Sequence, residues 1–377
     1  VQASLSDAKL SENEHRGGFM EGLTISAVTA KAVIVPLARP VRTAVGTIAA
    51  SPLVLIDVST REGITGRAYI FAYTPAALPA LYRIVLDIGA ELAGMAAAPQ
   101  DVMRHFDRRF RLIGLQGLLG MAISGVDMAL WDALGQAAGL SVAQLLGGTP
   151  RALTAYDSYG AIDIKADADV LAASVASGFK AIKIKIGDRD LPGDIATVKA
   201  VREIVGPEIR LMADYNQSLD VPEAIRRIRH LAEFGLHWFE EPVKAEDLAG
   251  HARVRAETGA PIQTGENWWF PAGMQTAIAA QACDHAMPDL MKIGGVTGWL
   301  TAAGLAAGAG LPMSSHLFPE ASAHVMTVTP TAHLIEWLDF AGGVLAEPMQ
   351  AVDGHITPRG PGLGIAWDEE AAARFAA

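Results

Sequence analysis

Eight residues able to do acid–base or metal chemistry recur along the chain at a near-constant interval. Lys183 and Lys185 stand two apart, and Asp214, Glu240, Glu266, Asp289, His316 and Glu336 follow from Lys185 at steps of 29, 26, 26, 23, 27 and 20 residues. Asp214, Glu240 and Glu266 offer three hard oxygen donors, which suit Mg²⁺ with room for water and substrate better than Zn²⁺, a metal that prefers histidine or cysteine. Any one such carboxylate is more often a helix cap or a solvated loop residue; the set in phase points to a metal. Glu241 adjoins Glu240, and because strand side chains alternate, only one of the two can face the cation. Lys183 and Lys185 point the same way on a strand that Ile182, Ile184 and Ile186 mark as buried. Two inward lysines near each other and a cation should lower each other's pKa, so that one serves as a base near neutrality. Lys183 is the expected partner of a substrate carboxylate and Lys185 the expected base. Asp289 and His316 pair in a different way: a carboxylate on one imidazole nitrogen sets the tautomer and raises the basicity of the other. The remaining histidines, among them His237, His285 and His333, have no such partner in sequence and read as structural or exposed.

These positions need elements that bring them together. Each follows or ends a short apolar run: Leu153 to Tyr156, Ala181 to Ile186, Ile209 to Ala213, Trp238-Phe239, Pro261 to Thr264, His285 to Met287, Pro312-Met313 and Leu334-Ile335. Amphipathic stretches such as 194–205, 221–234, 246–258 and 299–307 lie between them. Eight strand–helix units predict an α/β chain with a closed (β/α) barrel over 150–346, and the reactive residues then share the C-terminal rim, where barrel active sites lie. Before the barrel, strands around 33–37 and 53–58 precede helices over 76–92, 102–112 and 121–135. This predicts an N-terminal α+β capping domain over 20–149. Residues 1–19 read as a disordered tail, and 347–377 as a segment returning to the cap.

The totals narrow the partners. With 377 residues, 51% hydrophobic and 19% charged, the chain can bury a core. A net charge of −11 argues against nucleic acid, which wants a basic face. No apolar run reaches the ~18 residues of a membrane span, and the start lacks the order of a signal peptide. The lone Cys283 excludes an intramolecular disulfide and reads as a buried small side chain. These features lead us to expect a cytoplasmic protein acting on a small molecule.

The Lys183-Ile184-Lys185 motif, the carboxylate trio and the Asp289–His316 pair together resemble the mandelate racemase group of the enolase superfamily. The stretches Asp214 to Pro222, Met287 to Trp299 and Pro312 to Phe318 resemble its racemase branch, and the likeness runs from about residue 23 to the C-terminus. The resemblance implies an enolase-type barrel, Mg²⁺, and removal of the α-proton of a small 2-hydroxy acid through an enediolate. Lys185 would work on one face and His316 on the other, giving racemisation of mandelate or a similar aryl acid. It further implies that Lys183 and Ser158 hold the substrate carboxylate, that a protonated Glu336 donates a hydrogen bond to it, and that Asn216 bonds the α-hydroxyl. Val41, Val45 and Ile48 would lie on a loop over the site, joined by Phe71, Tyr73, Leu317 and Leu338. That lining suits an aryl group. Ile48, where the racemase pattern has valine, and Tyr159 depart from the family. A homo-oligomer, an octamer, is also implied.

Two other readings stay open. On the same machinery an acid-sugar dehydratase would use His316 as a general acid to expel a β-hydroxyl, with Arg39 and Arg42 as the nearest polar partners in the cap. A non-catalytic metal- or acid-binding protein is the reading from another class, and exchange of the α-proton with deuterated solvent separates it from both enzymes.

Overall fold

The computed structural model describes residues 22–43 and 46–377. Two antiparallel pairings build the cap sheet: β1 (Ile25–Thr43) with β2 (Gly46–Thr60), and β2 with β3 (Thr65–Phe71). The sequence reading had found the first two strands and missed β3. The β1–β2 ladder carries a register shift between Pro36 and Val41, after which Val41 pairs with Ile48 and Thr43 with Gly46. Prolines at 36 and 40 lack the N–H that a regular ladder needs, so the shift falls where the ladder would fail.

Against this sheet pack α1 (Leu78–Ala90) and α3 (Leu118–Ala138), while α2 (Pro99–Arg109) and the single turn α4 (Val142–Leu145) pack on α3. Among the described helices, α3 alone is long and apolar enough to cross a membrane. Its apolar surface has another use here: it is mostly buried against β3, α1 and the barrel. Gly66 lets the pair approach closely, because a Cβ there would meet the Ala129 carbonyl at 2.0 Å.

The barrel opens with β4 (Leu153–Ala161) and proceeds through α5 (Ile164–Ala176), β5 (Ala181–Lys185), α6 (Leu191–Val205), β6 (Arg210–Asp214) and α7 (Val221–Leu231). It continues with β7 (Phe239–Glu240), α8 (Leu248–Thr258), β8 (Ile262–Thr264), α9 (Phe270–Ala279) and β9 (His285–Ala286). The parallel order runs β10-β4-β5-β6-β7-β8-β9, with β10 at Ile335–Trp337. The seventh position is filled by Met313 to His316, which bridges β9 through Ala286 and Asp289 and reaches back through Met313 to Ala332. That segment follows α10 (Leu290–Ile293) and α11 (Gly295–Ala309), and α12 (Pro319–Thr327) leads from it to β10. Asp163, Asp190, Asp220 and Asp247 each accept a backbone N–H at the start of the helix they cap, so the same residue type ends several strand-to-helix loops.

Among the described residues no α-helix follows β10 directly. The chain turns through Gly342–Val344 and runs back to the cap. There the Ile34 N–H donates to the Phe375 carbonyl at 2.8 Å, Trp367 Nε1 donates to Asp57 at 2.9 Å, and Lys31 pairs with Glu369. Cys283 is buried, and that burial pushes its thiol up to about 11, which makes it inert as a nucleophile.

Candidate active site

A cavity of about 690 Å³ opens between the barrel rim and the cap. Strand register explains how the barrel residues reach it. Lys183 and Lys185 alternate with outward isoleucines on β5, and Lys185 sits level with Asp214 at the end of β6. Asp214 in turn is level with Glu240 on β7, and Glu266 comes two residues after β8. Ser158, Lys183, Lys185, Asn216, Glu266, His316, Leu317, Glu336 and Leu338 all line the cavity from the barrel side. Val41, Ile48, Phe71 and Tyr73 line it from the cap. Val45, named with them, lies outside the described residues.

Asp214, Glu240 and Glu266 are buried at or just past the ends of three adjacent strands, and their partners are cations and amides. Lys185 bonds Asp214, and Asn216 donates to the same carboxylate through its backbone N–H at 2.7 Å. Lys183 Nζ lies 2.6 Å from Glu240 and 2.9 Å from Glu336. His316 Nε2 lies 3.2 Å from Glu266. Burial, and then the crowding by Asp214, Glu266 and Glu336, pushes Glu240 up to about 7 even though Lys183 touches it. Each of the three carboxylates faces a cationic or imidazole side chain, and oxygen-only donors are the type that suits a hard divalent cation.

The expected repulsion between the two lysines is present, since Lys183 lowers Lys185, but neighbouring carboxylates outweigh it in this structure. Burial works to lower both, yet Glu240 and Glu336 raise Lys183 well above its ordinary value and Asp214 raises Lys185. The lysines are paired with carboxylates more closely than they repel each other. Glu336 also departs from its expected form. Burial works to raise it, but Lys183 and His316 hold it down to about 2, and it accepts the Leu317 N–H at 2.8 Å. In this geometry Glu336 accepts a backbone N–H and faces Lys183, both of which favour its ionised form.

His316 Nδ1 lies 2.6 Å from Asp289 Oδ2. Burial works against a charged ring, yet Glu266 and Asp289 push His316 up to about 9. Several residues around the cavity hold positive φ without being glycine: Tyr73 (58°), Asn216 (45°), Gln217 (63°) and Leu317 (51°). Backbone strain gathered at one site is a mark of function.

Sequence reasoning missed some of the lining. Asn267 donates to Glu241 at 2.9 Å and accepts from Lys292 at 2.7 Å, and Lys292 lies 4.8 Å over the Tyr73 ring. Glu241 is thus buried in a network that Asn267 shares with Glu266, and its carboxyl is raised well above the usual range by burial and by Glu266. Phe340 stacks on Phe71 at 4.7 Å. Lys292 lies inside the Met287 to Trp299 stretch and Asn267 adjoins Glu266, but nothing in their spacing marked them. Arg39 and Arg42 do not line the cavity. Arg39 grips Asp157 at 2.6 Å and lies 4.0 Å over Tyr159, and Arg42 pairs with Asp167, so both arginines clamp the cap to β4 and α5.

Comparison with known proteins agrees with this architecture. Residues 25–147 match the mandelate racemase / muconate lactonizing enzyme N-terminal domain, and residues 166–371 match the enolase C-terminal domain-like family. The chain is 32% identical to 3,6-anhydro-alpha-L-galactonate cycloisomerase of Streptomyces coelicolor, covering 86% of this chain and 91% of that protein. It is 31% identical to L-talarate/galactarate dehydratase of Salmonella typhimurium, over 93% and 90% of the two chains. Among solved structures it is similar to an enolase from Bradyrhizobium complexed with magnesium and mandelic acid. The TM-score is 0.93 with 56% identity, over 95% of this chain and all of that one. Cycloisomerases, dehydratases and epimerases all stand among these relatives, so a racemase branch is not singled out.

Proposed function

This chain belongs to the mandelate racemase and muconate lactonizing enzyme family of the enolase superfamily, and on that premise we propose that it racemises mandelate or a similar aryl 2-hydroxy acid, with Mg²⁺ as cofactor. The observation that supports this reading is that Lys185 and His316 enter one cavity from strand positions three apart around the barrel ring. The reacting carbon of a bound acid then has a base toward each face. Aromatic and aliphatic side chains (Phe71, Phe340, Leu317, Leu338, Val41 and Ile48) line the rest of the cavity, while the cap arginines are committed elsewhere.

Asp214, Glu240 and Glu266 would hold the cation. When bound, Mg²⁺ supplies positive charge where the substrate carboxylate gains a second negative charge. Lys183 and Ser158 bind that carboxylate, and Asn216 orients the α-hydroxyl. Glu336 lies beside Lys183 on the carboxylate side. Lys185 Nζ takes the α-proton of one enantiomer, and the C–H electron pair passes into the enediolate. His316 Nε2 then delivers a proton to the opposite face; the other enantiomer runs the same path in reverse. Asp289 keeps the His316 proton on Nδ1, so that Nε2 is the reacting atom. Once Asp214 and Glu266 are committed to a cation, Lys185 loses the carboxylates that raise it and His316 loses one of those that do so, Asp289 staying on Nδ1, which brings both closer to proton transfer near neutrality.

An acid-sugar dehydratase is the second reading. Lys292 and Asn267 favour it, since both line the cavity and could bond a hydroxyl chain. Proton NMR of R- and S-mandelate with the protein and Mg²⁺ in deuterium oxide, with polarimetry, tests the choice. Loss of the α-proton signal from both enantiomers together with decay of rotation is the expected result. Intact mandelate alongside conversion of an acid sugar to a keto-deoxy acid would replace the racemase with the dehydratase.

A further inference from the structure

Three histidines outside the rim meet at the opposite end of the barrel. His237 stands two residues before β7, His285 opens β9, and His333 stands two residues before β10. Backbone bonds hold their entry points: the His237 N–H donates to Leu211 at 2.8 Å and the His333 N–H to Met313 at 2.9 Å. One ring nitrogen of each lies within 4.8 Å of those of the other two. His237 Nε2 and His333 Nε2 are 3.3 Å apart.

That last distance has chemical content. A tetrahedral ion with metal–nitrogen bonds of about 2.0–2.1 Å sets its ligand nitrogens about 3.3–3.4 Å apart. Ser314 Oγ lies 3.3 Å from His333 Nδ1, placed to accept its proton and leave the Nε2 lone pair facing the cluster. His285 Nδ1 is buried with no hydrogen-bond partner among the described residues, an arrangement that costs free energy unless something binds there. Burial and mutual repulsion lower His237 to about 4 and His333 to about 3, and burial lowers His285. All three rings are therefore neutral near pH 7, the form that a metal takes. They remain part-exposed, so an ion can reach them. Arg210 is the opposing charge, since it disfavours a cation near His237 and His333. Asp284, on the other side, favours one near His285, although it is already bonded to Arg255 at 2.6 Å.

We propose that His237, His285 and His333 form a second metal site, for a borderline divalent transition metal such as Zn²⁺, that ties together the N-terminal ends of β7, β9 and β10. Imidazole donors suit such an ion, whereas the carboxylates of the rim suit Mg²⁺. The two sites lie at opposite ends of the barrel. At this end of a barrel the role is stability, not chemistry.

The test uses tag-free full-length protein stripped with chelator, saturated with Mg²⁺ to fill the rim, and then titrated with Zn²⁺ by calorimetry. The expected result is one equivalent of Zn²⁺ bound. Affinity should fall by on the order of 100-fold in His237→Gln and in His285→Leu, and hold in Glu266→Gln. Zn²⁺ should also raise Tm by on the order of 2–4 °C in the parent but not in the two histidine variants. Should either variant fail to fold, electron paramagnetic resonance of Cu²⁺ on the Mg²⁺-saturated parent decides, with coupling to several imidazole nitrogens expected. No Zn²⁺ uptake in the presence of Mg²⁺, uptake that survives both histidine changes, uptake lost with Glu266, or a Cu²⁺ spectrum without nitrogen coupling would each overturn the site. None of these results depends on which acid the rim converts.

Discussion

His316 Nδ1 meets Asp289 Oδ2 at 2.6 Å, while the other oxygen of that carboxylate accepts the Met291 N–H at 2.7 Å. Both acceptor positions of Asp289 are therefore assigned. In Asp289→Asn the amide oxygen can keep the Met291 bond, but the amide nitrogen must then face Nδ1 as a donor. That forces the proton of a neutral His316 to Nε2 and removes the base. Racemisation should fall by ~10²–10⁴-fold with little loss of stability. Steady-state polarimetry and a thermal melt check the two halves, and a collapsed Tm would mean that Asp289 is structural.

Two bases make a prediction that one base cannot. His316→Asn and Lys185→Met should each reduce racemisation by more than ~10³-fold. Each variant should still exchange the α-proton of one enantiomer at a rate within about tenfold of the parent, and the surviving enantiomer should differ between them. Deuterium incorporation into separate R and S samples reads this directly. Loss of exchange from both enantiomers in either variant would count against independent bases.

Chelation should abolish exchange without unfolding the chain. In this structure Lys183 already faces Glu240 and Glu336, and Lys185 already bonds Asp214. The cation-free carboxylates are thus partly compensated. The loss of stability should be limited to the binding linkage, roughly 3 kcal/mol at a hundredfold excess of Mg²⁺ over Kd. Circular dichroism should stay unchanged at 25 °C while Tm falls, and readdition of Mg²⁺ should restore exchange.

Outside the cavity lining, Glu320 is buried and accepts the Tyr69 hydroxyl at 2.6 Å. Burial pushes its carboxyl from 4.5 up to about 7. The folded state then binds a proton more tightly than the unfolded state. Its contribution to stability is full below about pH 4.5 and is lost as pH rises through about 7. The cost above that window is roughly 3 kcal/mol. Glu320→Gln keeps an acceptor for Tyr69 and cannot ionise, so it should stabilise the protein at pH 8 and change little at pH 5. Urea unfolding at both values checks the sign; equal effects at the two values would show that Glu320 does not titrate in this range.

The sequence by itself determined the barrel, the cap and the membership of the rim. Those depend on local period and composition: apolar runs separated by amphipathic stretches, and reactive side chains at one phase of the repeat. A strand-to-helix unit has a nearly fixed length, so spacing along the chain maps onto position around a ring. What the sequence could not state is which charges touch. Lys183 and Lys185 looked like mutual repellers, yet Glu240, Glu336 and Asp214 lie closer and raise both. Glu336 looked like a donor, yet Lys183 lies 2.9 Å from it and lowers its carboxyl. Arg39 and Arg42 looked available to a substrate, yet β4 and α5 claim them. His237, His285 and His333 recur at intervals of 48 residues, each at the start of an apolar run, a regularity that puts them at one end of the barrel without saying that they touch. Only closure of the barrel brings the starts of β7, β9 and β10 together, because electrostatic and metal-binding energies depend on distances in space that no spacing in sequence encodes.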